Sequence, residues 1–494
     1  MLPTALPAAR SLARVFLFVP LALAACSSSP ARVETSRDRL DGAMVEWSSG
    51  TVARADEHYL NFRFSVGPDT KTIQASDETV ALLLDVDGRS DTGYQRTPKP
   101  FNSIGADLEL QFSPTSDKGA VASGVAFYAL AKDGTRTELP KDQSDLTFSP
   151  AYASAWYEAR MSRAFAASIT KNGMASSGKG RGIFVIYAPG EGGRSGGRIA
   201  GYSEPFDITF PPIAAEPRLA DANIPAKPDG TIRVMAWNVW RKMASDPARF
   251  APIIRAINPD VLLISEWQSD DKTLVEAMKT VFPNTQSAPW HAVSRGDVAI
   301  ASRFPVAPST AKAEVLVEGK PRSVRYVAAV AQSPIGGVLV GAMHLKCCGG
   351  AGSSEDQLRL AEARAINETV KQASRADAAS IRILGGDINL VGSRNPLDLL
   401  RADIDLDGSD MTPADAAVLG DNTYYTWRDW NTGFSPGRLD WLTYSDATAT
   451  IVQSFVLDTR RLTPSALSTM GLTTESSDVS DHLPVVIDVA PVAK

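Results

Sequence analysis

Residues 382–390 read Arg382-Ile383-Leu384-Gly385-Gly386-Asp387-Ile388-Asn389-Leu390. A short apolar run of this kind reads as the end of a buried strand, and two successive glycines let the backbone turn tightly behind it. Asp387 and Asn389 then emerge together at the carboxyl edge of the strand, where open α/β folds place their chemistry. Residues two apart share one face if the strand persists. A proton acceptor therefore stands beside an amide that can donate to a phosphate oxygen or bind a metal. Taken alone, the pattern is equally well a turn closed by an Asx cap, so the rest of the chain has to decide.

The chain has 494 residues, which suggests two or three domains, and its 44% hydrophobic content is ample for their cores. A stretch at 213–230 carries Pro217, Pro225 and Pro228-Asp229-Gly230 without periodicity, and reads as a semi-rigid linker. It separates an amino-terminal domain at 45–212 from a carboxyl-terminal one at 231–490. The formal net charge of −6 excludes a general attraction to nucleic acid while leaving room for a local basic groove.

Residues 1–25 have the form of an export signal: Arg10 and Arg14 precede an apolar run at 15–25 that is too short to span a bilayer. Leu23-Ala24-Ala25-Cys26 resembles a bacterial lipobox, which implies cleavage before Cys26 and lipidation of its thiol. The expectation is an exported protein held to a bacterial membrane by acyl chains, with 26–44 as a polar tether and Ser27 pointing to the outer membrane. Cys347 and Cys348 remain. Adjacent Cα atoms lie about 3.8 Å apart, below the usual disulfide span, so a strained vicinal disulfide and two free thiols both stay open.

Between 45 and 212 short alternating runs recur, among them Tyr59-Leu60-Asn61-Phe62-Arg63-Phe64, Ala81-Leu82-Leu83-Leu84 and Gly182-Ile183-Phe184-Val185-Ile186-Tyr187. Turn residues separate them at β-like spacing, which predicts an all-β sandwich. The segment from Leu84 to Tyr94, taken with Gly105-Ala106-Asp107, resembles the sandwich modules related to family-9 carbohydrate-binding domains, implying a glycan as ligand. Asp85, Asp87 and Asp91 offer oxygens for Ca2+, against the alternative of a solvated acidic turn. The acidic stretch 403–410 also begins like a calcium loop, but Ala414 stands where an EF-hand needs Glu.

From Thr231 onward strands alternate with helices, an α/β pattern. Apolar strands deliver Asn238, Glu266 and His344, and later runs bring Arg438-Leu439-Asp440-Trp441 and Ser480-Asp481-His482-Leu483-Pro484. Asp246-Pro247 predicts one helix start, and Ser353 or Ser354 another. Trp237, Trp267 and Trp441 flank these motifs and read as wall packing rather than stacking platforms for bases.

Six motifs in order, Trp-Asn238, Ser-Glu266-Trp, Met-His344-Leu, Gly-Asp387-Ile-Asn389, Arg-Leu-Asp440-Trp and Ser-Asp481-His482-Leu-Pro, resemble the endonuclease/exonuclease/phosphatase superfamily with the DNase I-like fold. The resemblance implies a four-layered α/β sandwich that hydrolyses phosphoester bonds with Mg2+ or Mn2+. It implies Glu266 as main metal ligand, with Asn238 and Asp481 assisting. Asp387 would accept or orient the proton of the attacking water, and Asn389 would hold a phosphate oxygen. His482, oriented by Asp440, and His344 would share the acid and base work, in a division left open. Trp240 and His344 replace an acid and a tyrosine of the apurinic-site endonucleases, which moves the resemblance toward the DNase-like, sphingomyelinase-like and inositol-phosphatase-like branches.

The function expected is therefore a metal-dependent phosphoesterase acting on nucleic acid, on a phospholipid, or on an inositol or sugar phosphate. An alternative of another class is a surface binding module that keeps the fold without turnover.

Overall fold

The computed structural model describes residues 14–15, 52–67, 71–96, 101–116, 119–169, 178–192, 197–214, 218–283, 289–376 and 379–492. The predicted export signal and tether, with Cys26, lie outside the described residues except for Arg14–Val15, a two-residue strand beside Ile199–Tyr202. Among the described residues no helix is long and apolar enough to cross a membrane.

The amino-terminal region is β-rich, with one short α-helix at Arg163–Ser168. One antiparallel sheet runs in the order Ile199–Tyr202, Gly178–Tyr187, Thr79–Asp85, Leu108–Phe112, Val125–Leu130, Arg136–Leu139. It faces a smaller sheet of Ala53–Ala55, Tyr59–Ser65, Trp156–Ser162 and Thr147–Ser149. Alternation does the sorting, because successive side chains point to opposite faces. Leu82 and Leu84 fill the space between the sheets with Phe62, Phe64 and Phe112, while Ala81 and Leu83 turn outward to a second cluster with Ile183 and Tyr187. Phe64 stacks on Phe184 with ring centroids 4.5 Å apart.

The acidic turn of this region differs from expectation in one member. Asp85, Asp87 and Asp107 draw together, with carboxylate oxygens all within 4.8 Å of one another. Asp91 instead faces solvent and pairs with Arg89. Burial and mutual repulsion push Asp85 up to about 7, and burial lifts Asp107 to about 6. The 403–410 loop gathers no such cluster: Asp403 pairs with Lys371, Asp410 with Arg401, Asp407 accepts from Ser409, and Asp405 accepts from Ala447. Its carboxylates point to separate partners, and among the described residues they form no shared centre.

The carboxyl-terminal region is a four-layered α/β sandwich. The first sheet has the order His291–Arg295, Val298–Ser302, Val261–Ser265, Ile232–Asn238, Val485–Pro491, Ala449–Val456. The second runs Val306–Pro308, Tyr326–Ser333, Gly336–His344, Ile381–Asp387, Asp440–Tyr444, Thr412–Pro413. Val234, Leu263 and Ile300 of the first meet Val340, Ile383 and Leu442 of the second in a shared core. Helices Pro247–Ile257 and Asp271–Val281 cover one outer face and Ser354–Ala376 and Asn395–Arg401 the other. Asn258 closes the first helix in the left-handed conformation common at helix C-termini.

Arg160 of the sandwich and Asp421 of the carboxyl-terminal region form a two-pronged ion pair, at 2.6 and 2.9 Å, with both side chains buried. Burial opposes the Asp421 charge, but Arg160 and Arg461 outweigh it and hold the carboxyl well below its usual range. A carboxyl depressed in the folded state contributes stability above its unfolded pKa of about 3.9 and loses it as pH falls toward the folded value. Asp421→Asn removes the charge that compensates the buried Arg160 guanidinium, leaving it the neutral Asn422 Oδ1 at 2.8 Å, and should cost about 3 kcal/mol at pH 6. Thermal unfolding across pH checks this: the gap to wild type should be full at pH 6 and narrow below about pH 4.

Candidate active site

Three strands bring three of the expected residues into one row. In the second sheet His344 is the register partner of Asp387, and Asp387 of Asp440. The glycines before Asp387 do this by close approach and not by turning the chain, as their sequence suggested. Both lie inside the strand Ile381–Asp387. A Cβ on Gly385 would stand 2.6 Å from Trp441 O, and one on Gly386, whose φ is +135°, would stand 2.1 Å from Met343 O. Any larger residue would push the row apart.

The first sheet supplies the facing half. Asn238 ends one strand and Glu266 directly follows its neighbour, with Asn238 and Ser265 in register. Ser265 Oγ ties the sheets together, donating to Met343 O at 2.9 Å and accepting from the Asp387 N–H at 3.2 Å. Ser480 Oγ donates to Asn238 O, and Trp237 Nε1 to His482 O, which fixes the Ser-Asp-His segment beside them. Trp237, Trp267 and Trp441 are buried in the packing, as wall residues should be.

The groups converge on one atom. Asp387 Oδ2 lies 3.0 Å from Asn238 Nδ2, 3.7 Å from His344 Nε2 and 3.7 Å from His482 Nε2. Asn238 Nδ2 also reaches Glu266 Oε1 at 3.3 Å, while its Oδ1 accepts from the Trp240 N–H. In this arrangement Asn238 spaces the two carboxylates, and offering its oxygen to an ion would require the amide to turn. Asn389 donates to Leu345 O at 3.2 Å, so it joins the loop after His344 to the strand end of Asp387. Asp481 takes a hydrogen bond from Trp427 Nε1, and its Oδ1 is buried without a partner among the described residues.

Backbone strain gathers here. Trp240, Arg241, Glu266, Gln268 and Asn389 all have φ between +49° and +60°. Such angles are uncommon outside glycine and cluster where the surroundings overdetermine a functional geometry.

His482 Nδ1 is 2.7 Å from Asp440 Oδ2, which Thr426 Oγ1 also donates to at 2.8 Å. Burial disfavours the imidazolium, yet Asp440 and Asp387 prevail and push His482 up to about 10. His344 has a matching partner that the sequence did not disclose. Asp297 Oδ2 and Arg325 Nη1 each stand 3.0 Å from its Nδ1, and Arg325 also donates to Leu345 O at 2.6 Å. Asp297 follows Gly296 in a hairpin turn, and Arg-Gly-Asp reads locally as turn chemistry alone. Thr426 and Trp427 were equally silent. Cys347 and Cys348 are free thiols in the loop beyond His344.

In metal-free protein the His482 ring should therefore stay protonated through neutral pH. Ring-proton NMR should place its titration far above that of an ordinary histidine, and Asp440→Asn should lower it.

The model of the Endonuclease/Exonuclease/phosphatase family matches residues 235–482. Comparison with curated proteins gives no match. Solved structures similar to this chain include a humanized D. rerio TDP2 with 14 mutations, at 13% identity over 53% of this chain and 99% of that one, TM-score 0.35. The human Nocturnin catalytic domain with bound sulfate is 16% identical over 54% of this chain and 97% of its own, TM-score 0.36. Sphingomyelinase C from Streptomyces griseocarneus is 15% identical over 52% and 99%, TM-score 0.35. With half of its length matched by the family model, and with the motif residues gathered at one edge of a four-layered sandwich, this chain belongs to the endonuclease/exonuclease/phosphatase family.

Proposed function

We propose that this protein hydrolyses a phosphoester by direct attack of water, with Asp387 accepting or orienting the water's proton. The observation that carries the reading is the convergence on Asp387 Oδ2 of Asn238 and both histidines, inside a buried edge. His482, held as imidazolium by Asp440, faces the same point and supplies positive charge and a proton to the phosphoryl or leaving oxygen. His344, oriented by Asp297, donates from the opposite side.

The oxygens of Glu266 and Asp481 suit a hard divalent cation such as Mg2+ or Mn2+, and the orphaned Asp481 Oδ1 fits such a partner. Asn238 would join them if its amide turned. A bound ion would neutralise charge that builds on the phosphoryl oxygens.

Mg2+-dependent nicking of supercoiled plasmid by residues 31–494, run beside release assays on phospholipid and sugar phosphates, tests the reading. EDTA should abolish turnover, and Asp387→Ala should lower it by about 10²–10⁴-fold with the melting temperature retained. Turnover confined to a small phosphoester moves the substrate and keeps the mechanism. Silence on all substrates returns the chain to a binding role.

The export signal and lipobox support placing the enzyme on a bacterial membrane through a lipid on Cys26. Cys26→Ser should release it from the membrane fraction and abolish labelling by radioactive palmitate.

A further inference from the structure

Segment 71–75 joins the sandwich strands Tyr59–Ser65 and Thr79–Asp85 and reaches three loops of the catalytic edge. Thr72 Oγ1 donates to Val391 O at 3.4 Å, just beyond Asn389, and accepts from the Ala351 N–H at 3.0 Å, in the loop after His344. Gln74 Oε1 accepts from the Ser435 N–H at 2.9 Å, in the loop that leads to Asp440. Neighbouring sandwich residues reinforce the same loops: Ala153 N–H donates to Gly392 O at 2.7 Å, and Val125 N–H to Gly433 O at 2.8 Å.

The segment is itself held in place. Ser113 Oγ donates to Ile73 O at 2.8 Å, and Tyr157 Oη donates to Lys71 O while accepting from Ser154 N–H. The seam has little slack, since a Cβ on Gly124 would stand 2.2 Å from Gly433 O. Within the carboxyl-terminal region the first two loops are also cross-tied by Asp356, which accepts from Gly352 N–H and Ser393 N–H, each at 3.0 Å, and the third is tied to Thr426, whose N–H donates to Gly437 O at 2.9 Å.

We propose that segment 71–75 is a positioning element of the catalytic site, acting through Thr72 and Gln74 to set the spacing of His344, Asn389 and Asp440. The proposal rests on the phosphoesterase reading. Neither side chain touches the reacting groups; each fixes the backbone from which those groups project. The sandwich is thus part of the active site's framework and not an independent appendage. Displacement of a catalytic group by about 1 Å can cost about 10²-fold in rate, and loops that carry left-handed residues at their strand ends depend on such outside support.

The full chain carrying Thr72→Val or Gln74→Leu tests this, with bis(4-nitrophenyl) phosphate and Mg2+ as probe. Each should lower kcat by ~10-fold or more with KM within ~2-fold of wild type, and Thr72→Ser, which keeps the hydroxyl, should restore kcat. An unchanged kcat in both variants overturns the proposal. A wild type that turns over no phosphoester sinks the functional reading alone, and hydrogen exchange then decides. Faster exchange at 345–352, 389–393 and 430–437 in the variants sustains the positioning role, and unchanged exchange there overturns it.

Discussion

The approach of three strands at Gly385 and Gly386 governs the rest of the edge where the motif residues gather. With no Cβ on either residue, the backbone of Ile381–Asp387 comes close enough to both neighbours for His344, Asp387 and Asp440 to stand in one row. The same closeness lets a single hydroxyl, that of Ser265, join the two sheets at the level of Asp387. A side chain at either glycine would displace the row and the hydroxyl bridge together, so packing and chemistry share one constraint.

Once the row is set, burial governs its electrostatics. Asp440 is fully enclosed and can keep its charge only by holding a proton close, which it does on His482. Asp387 adds its field to the same ring. The outcome is a histidine ring whose hold on its proton is strengthened, with its Nε2 3.7 Å from Asp387 Oδ2. Asp297 and Arg325 give His344 a comparable frame, drawn from a different sheet and a different loop.

The sandwich enters through the same logic. Loops at strand ends have few intrinsic restraints, and those at this edge also carry residues in the left-handed region. Bonds from Thr72, Gln74 and Ala153 restrain them from outside, and the buried Arg160–Asp421 pair holds the two regions in the registry those bonds need.

Much of this was legible in the chain. Period-two alternation and turn spacing announced the sandwich, and apolar runs ending in Asn238, Glu266, His344 and Asp387 announced strands that share an edge, because a polar group after a buried strand has nowhere to go but that edge. Linear reading misjudged what depends on through-space distance. It took the two glycines for a turn, put Asp91 in a cluster that Asp107 completes, and missed Asp297, Arg325, Thr426 and Thr72. Local sequence encodes periodicity and strand ends, since these follow from neighbours along the chain. Which hydroxyl or carboxylate meets which histidine is decided only when residues far apart in sequence are packed to contact, and that belongs to the tertiary structure alone.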